Sequence, residues 1–222
     1  MKKILLFCLL GFIQLYSQDQ EIDSLNVQKL EEVLVSSIRV NEDIPMAFTN
    51  VSKDQIEERN LGQDLPILLN FLPNVVTTSD AGAGIGYTSI RIRGINAQST
   101  NVTINGIPYN DAESLGTFWV DLPDFSSSIE NLQVQRGIGT SVNGSSAFGA
   151  SINILTDKIS EDPFFESNNT FGSYNTFKNT LRFSTGLIKE VFEFSGRLSK
   201  IDSDGYIDRS ISDLKSYFLQ FL

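Results

Sequence analysis

Apolar and polar positions alternate along this chain in short blocks. "MAFTNVS" (46–52), "NVVTTS" (74–79), "TSIRIRG" (88–94), "NVTING" (101–106), "IENLQVQRG" (129–137) and "SINILTD" (151–157) keep a period near two. Gly, Asn and Pro bound them, so they read as strands. Two helical signals interrupt the series. Ser52 and Gln55 have the S-x-x-Q spacing of a capping box. "DLPILLNFLP" (64–73) has helical apolar spacing, Asp64 as N-cap, Pro66 in the first turn and Pro73 as the stop. Residues 45–158 are therefore expected to form an α+β unit. Its predicted core is Leu65, Leu68, Leu69, Ile90, Ile92, Val102, Ile104, Leu132 and Val134.

Beyond residue 164 the alternation lengthens. From Thr176 to Thr185, Phe177, Leu181 and Phe183 fall on one face, with Lys178, Thr180, Arg182 and Ser184 on the other. From Val191 to Lys200, Phe192, Phe194 and Leu198 oppose Glu193, Ser195, Arg197 and Ser199. Runs of about ten residues cross a bilayer as tilted strands. "GLIKE" reads as a short turn and "IDSDGYIDRSISD" as a longer loop. A soluble sandwich with one buried face alternates in the same way, so the pattern leaves both readings open. A bacterial barrel needs at least about eight strands, so a chain with so few of them is expected to be a piece of something longer.

The first seventeen residues fit neither class. Lys2 and Lys3, an apolar run from Ile4 to Tyr16 and the small Ser17 have the order of a secretory signal. The run is too short to span a bilayer. Cleavage there would remove two cations and no acid, making a formal charge of −10 more negative still. It would also remove Cys8, the chain's single cysteine. Residues 18–30 are polar and weakly patterned and read as a flexible tail, followed by the β-prone Val33 to Val35.

Charge and composition remove whole classes. An acidic chain without a basic stripe is a poor nucleic-acid binder. With no histidine, Ser-His-Asp triads and histidine zinc sites cannot be built. A hydrolase would need paired carboxylates, and no such pair stands out. "GAGIGY" (82–87) ends on Tyr87 where a dinucleotide fingerprint needs glycine, and "GTSVNGSS" (139–146) has Ser145 in place of the phosphate-binding lysine. "DSDG" (202–205) lacks the further acids of a calcium loop. All three read as turns, and no metal site, cofactor or enzyme activity is expected.

One set of motifs does agree in order. "LEEVLVSSIR", "DLPILLNFLPNVV", "SIRIRG", "VTINGIPYND", "IENLQVQRGIGTSVNGSSAFGASINILTD" and the closing alternating strands resemble the N-terminal part of a TonB-dependent outer-membrane receptor. The resemblance implies an α+β plug domain over 45–158, followed by the first antiparallel strands of a transmembrane β-barrel over 159–222. It places a periplasmic segment over 18–44, with the TonB box at Glu32, Val33, Leu34, Val35 and Ser36. An extended segment there would add a strand to the C-terminal domain of TonB. It further implies that Arg93 and Arg136, with Arg91 on the same strand face, meet glutamates of the inner barrel wall. The loops carrying Tyr87, Tyr109, Asp111, Phe118 and Trp119 would face an extracellular ligand. Asn74, Asn105, Ile138 and Ala150 depart from common family residues. Asparagine tolerates left-handed backbone, so the turns at Asn74 and Asn105 survive.

The implied function is import of a ferric siderophore or similar metal chelate, with TonB, outer-membrane lipid and the remainder of the barrel as partners. Import of another nutrient such as cobalamin or a glycan, or a secreted adhesin-like β-protein, are the alternatives. Glycan importers usually carry an extra domain before the box, and only about a dozen residues lie there.

Overall fold

The computed structural model describes residues 39–138 and 147–222. β1 (Ala47–Ser52) runs into α1 (Lys53–Glu57), whose first turn is closed by the reciprocal Ser52–Gln55 capping box. α2 (Leu65–Leu68) is shorter than its apolar spacing suggests. Leu69 leaves helical backbone at φ −92° and ψ 0°, and the Leu72 amide bonds only to Leu69, so the chain turns instead of continuing. β2 (Val75–Ser79) and β3 (Thr88–Ile92) form a two-stranded antiparallel ribbon.

A five-stranded sheet carries the rest of this half. β4 (Thr100–Ile104), β5 (Ile107–Pro108), β6 (Ile129–Arg136) and β7 (Ala150–Thr156) join β1 in the order β1-β6-β7-β4-β5. Only β4 and β7 run parallel. The turns that the asparagines had to allow are present, with Asn74 at φ 63° and Asn105 at φ 50°. The core forms between α1, α2 and the sheets. It contains all the predicted residues except Ile104, which is partly buried, and adds Ile56, Leu72, Trp119, Phe125, Ile152 and Ile154.

β8 (Phe164–Phe171), β9 (Phe177–Ser184), β10 (Phe194–Ser203) and β11 (Ser212–Phe221) form a second, wholly antiparallel sheet in sequence order. β10 begins and ends three residues later than its alternation predicts. The reason is a small bridge, Ile188 to Phe192, that closes the connection before β10 starts. As a result 185–193 is no shorter than 204–211, and the expected contrast between turn and loop is absent.

The faces of this sheet are inverted relative to a soluble protein. Lys178, Thr180, Arg182, Arg197 and Ser199 are buried against the first half, while Phe165 is 73% and Tyr217 76% exposed. A sandwich buries its apolar face. Here the polar face is covered and the apolar face points outward, as in a membrane barrel wall.

Candidate functional site

The most buried contact between the two halves centres on one turn. Trp119 and Phe125 are sunk in the core on either side of Pro123 and Asp124, which pushes that turn toward the wall. Asp124 takes left-handed backbone, φ 53°. Its carboxylate is closed off from solvent and lies 2.7 Å from the Lys178 ammonium and 3.3 Å from the Arg197 guanidinium. The hydroxyls of Ser127, Thr180 and Ser199 also donate to it. Arg197 donates to the carbonyls of Pro123 and Asp124, and Ser216 donates to Pro123 at 2.7 Å. Side chains from β9, β10 and β11 thus hold a single turn. Burial alone would raise the Asp124 carboxyl, but the Lys178 and Arg197 charges outweigh it and hold the pKa at about 2.

A second contact lies where the first half runs into β8. Arg182 reaches Asp157 at 2.8 Å and Glu166, on the neighbouring strand, at 3.1 Å. Lys53 meets the other oxygen of Asp157 at 2.7 Å. Glu193 accepts from the Ser184 hydroxyl and from the Ser160 amide. Lys53, Asp157, Ser160, Glu166, Arg182 and Glu193 line a cleft of about 520 Å³ between the five-stranded sheet and the wall.

At the other end, the loop 80–87 touches the loop 204–211. The Ala81 carbonyl accepts from the amides of Tyr206 (2.9 Å) and Ile207 (3.2 Å) and from the Ser210 hydroxyl (3.5 Å). Gly82 lies so close to Tyr206 that a Cβ there would sit 2.9 Å from the ring. Tyr206 also packs edge-on against Tyr174. Behind this loop, Asp64 is buried and accepts from the Thr88 hydroxyl at 2.8 Å. Burial raises its pKa to about 7, against the pull of the Thr88 hydroxyl and the Gly86 amide.

The residues singled out in the sequence fall in different places. Tyr87 (66%) and Phe118 (48%) are exposed on their loops. Tyr109 is half-buried against the core, and burial, then the Asp121 charge, raises its hydroxyl pKa. Asp111 accepts from the Ser114 and Glu113 amides and so closes its own turn. Trp119 corrects the expectation of a ligand-facing ring, because it is 2% exposed and belongs to the core.

Arg91 is exposed on β3, opposite Ile90 and Ile92. Arg93 is not on the strand: at φ 55° it sits in the following turn, beside Gly137. Arg136 donates to the Phe48 carbonyl, and its buried Nη1 has no hydrogen-bond partner among the described residues. Among the described residues, none of the three arginines pairs with a carboxylate. Among the described residues, the ion pairs that do join the halves have the opposite polarity, with cations on the wall and acids on the docked half. Glu32 to Ser36 lie outside the described residues.

Residues 40–151 match the family model described as the TonB-dependent receptor plug domain. The chain belongs to this family. Among its relatives, the plug-domain chain is 30% identical over 183 residues to the vitamin B12 transporter BtuB of Vibrio vulnificus, covering 81% of this chain and 29% of that protein. It is 25% identical over 231 residues to the ferrienterobactin receptor of Escherichia coli, covering 92% of this chain and 30% of the relative. It spans less than a third of the length of these relatives. Its fold is shared with the Pseudomonas aeruginosa receptor FpvA bound to pyoverdine (TM-score 0.64, 15% identity, 81% of this chain and 23% of that one). The Yersinia pestis ferric yersiniabactin uptake receptor FyuA shares it also (TM-score 0.57, 17% identity, 79% and 28%). The fold is thus a TonB-dependent receptor plug with the first strands of its barrel.

Proposed function

We propose that this chain forms the plug and first wall strands of an outer-membrane receptor that imports a ferric siderophore or similar metal chelate on energy delivered by TonB. The observation that carries the reading is the inverted wall. Its charged face, with Lys178, Arg182 and Arg197, closes on Asp124 and Asp157 of the plug, while its apolar face points outward. Such a charged seam suits a plug that must dock in a polar lumen and later shift. Buried pairs orient partners more dependably than they stabilise them.

In this reading, residues 1–17 export the chain, 18–44 present the TonB box, 45–158 form the plug and 159–222 begin the barrel. Glu32 to Ser36 add a strand to TonB. Tyr87 and Phe118 offer exposed aromatic surface to the ligand, with Tyr109 and Asp111 shaping the loop beneath it. The buried Nη1 of Arg136, without a partner among the described residues, supports a carboxylate partner on wall strands beyond this chain, with Arg93 beside it and Arg91 on the adjoining ribbon.

Names among the relatives favour the siderophore. They include the ferrienterobactin receptor and the probable TonB-dependent siderophore receptor PirA of Acinetobacter baumannii. The 30% identity to a vitamin B12 transporter favours cobalamin as the second reading. Uptake of labelled ferric siderophores and labelled cobalamin, in cells with and without the complete receptor and TonB, separates the two. TonB-dependent accumulation of neither would sink the import reading.

A further inference from the structure

Asp64 stands at the N-cap of α2, yet its side chain makes no capping bond. An aspartate in that place ordinarily accepts from the amides two or three residues on. Here one carboxyl oxygen, Oδ2, takes the Thr88 hydroxyl at 2.8 Å, while the other, Oδ1, is buried with no hydrogen bond among the described residues. The Asp64 amide donates to the Gly84 carbonyl at 2.9 Å. One residue therefore reaches both the middle of the loop 80–87 and the start of β3, the strand that leaves it.

The loop is pressed between two surfaces. A Cβ on Gly84 would lie 3.1 Å from Gln63 and 3.2 Å from Ile67 of α2, and one on Gly86 would lie 3.3 Å from the Ser212 hydroxyl of β11. Ile85 is buried beneath the loop and Tyr87 is exposed above it. The loop closes on itself through Ser79, whose hydroxyl accepts from the Gly84 amide, and through the Asp80 amide on the Tyr87 carbonyl.

A buried carboxylate is costly unless it is paired. No ion pair reaches Asp64 among the described residues. α2 itself has no charged residue. The cations of the neighbouring segments are engaged elsewhere or turned to solvent: Arg59 lies over the Phe71 ring, Lys178 is on Asp124, and Arg91 is exposed. Asp80 on the loop and Asp213 after Ser212 are acids, which disfavour a further negative charge. The side-chain oxygen of Gln63, on the adjoining residue, is also buried without a donor. A proton on Oδ1 supplies a donor where two buried acceptors lack one.

We propose that Asp64 is the positioning residue of the loop 80–87, holding it in place as the neutral acid and releasing it on ionisation. The loop's role toward ligand rests on the import reading; its attachment to Asp64 does not. Ionisation leaves a charge in an apolar site, and the loop must lift to let water reach it. With the carboxyl pKa at about 7, the loop is held below that pH and loosened above it.

The test places a nitroxide on Tyr87→Cys in the complete receptor, reconstituted in phosphatidylcholine vesicles, and follows its spectrum from pH 5 to pH 9. The immobile component is expected to dominate at pH 6 and to be lost by pH 8, with its midpoint near 7. With Asp64→Asn, a neutral side chain of the same shape, the label should stay immobile throughout. With Asp64→Ala it should be mobile throughout. A spectrum that does not change with pH in the otherwise unaltered receptor would overturn the proposal, as would an equal change in Asp64→Asn. An equal change at a label on Phe118→Cys would show general loosening and overturn it too. A receptor with the pH response but no TonB-dependent accumulation of siderophore or cobalamin overturns the import reading and leaves the role of Asp64. One that accumulates either without the response overturns that role alone.

Discussion

The Asp124 carboxylate and the Lys178 ammonium lie 2.7 Å apart, one on the plug and one on the wall, with almost no exposure to solvent. Removing one partner of such a buried pair typically destabilises by about 3–5 kcal/mol, because the other charge stays buried. Asp124→Ala strands both Lys178 and Arg197. Urea denaturation of the complete receptor should show a lowered midpoint, and Asp124→Asn/Lys178→Met should recover only part of it, since Arg197 still lacks its carboxylate. The pKa of about 2 lies below the ordinary value near 3.9. The contribution is therefore complete above pH ~4 and fades as pH falls toward 2.

Asp64 has the opposite sign. Its folded pKa of about 7 is above its unfolded value, so the folded state binds the extra proton. Stability from this group is complete below about pH 4 and declines as pH rises through 7. Asp64→Asn should flatten the thermal midpoint between about pH 4 and pH 7, the span between the unfolded and folded pKa values. A pH profile unchanged by the substitution would show that the group is not the source.

Val33→Pro or Leu34→Pro should abolish energised uptake by the complete receptor while leaving ligand binding intact. Proline removes a backbone donor and resists strand pairing. Uptake at the unaltered rate in either variant would argue against a TonB box at Glu32 to Ser36.

Hydrogen exchange on the purified chain in water, without detergent, should separate the two halves. Slow amides are expected between Ser89 and Asp157, where the strands surround a buried core. Fast exchange is expected from 164 to 222, whose apolar face and outer edges lack lipid and neighbours. Protection throughout 176–200 in a soluble monomer would instead revive the sandwich.

The elements that could be read in the sequence were those fixed by local rules. Ser52 and Gln55 formed their box, and the strands around Ile90, Val102, Leu132 and Val134 came from alternation alone. The end of α2 was not legible, because the ψ of Leu69 answers to packing rather than to any residue type. Asp124 was also missed. "LPDFSSS" looks like an ordinary turn, and its partners Lys178 and Arg197 stand more than fifty residues away. Their alternation with Phe177 and Leu198 did place both lysine and arginine on the polar face, which the fold buries, so two of the three residues were readable. Trp119 was misread because aromatic rings in loops give no local sign of whether they turn inward.

The three donors gathered on the Ala81 carbonyl make the loop 80–87 and the loop 204–211 mechanically continuous. Gly82, Gly84 and Gly86 all hold positive φ on the plug side of that joint, a backbone that residues with a side chain rarely adopt. The plug loop and the wall loop thus share three hydrogen bonds that converge on a single oxygen atom.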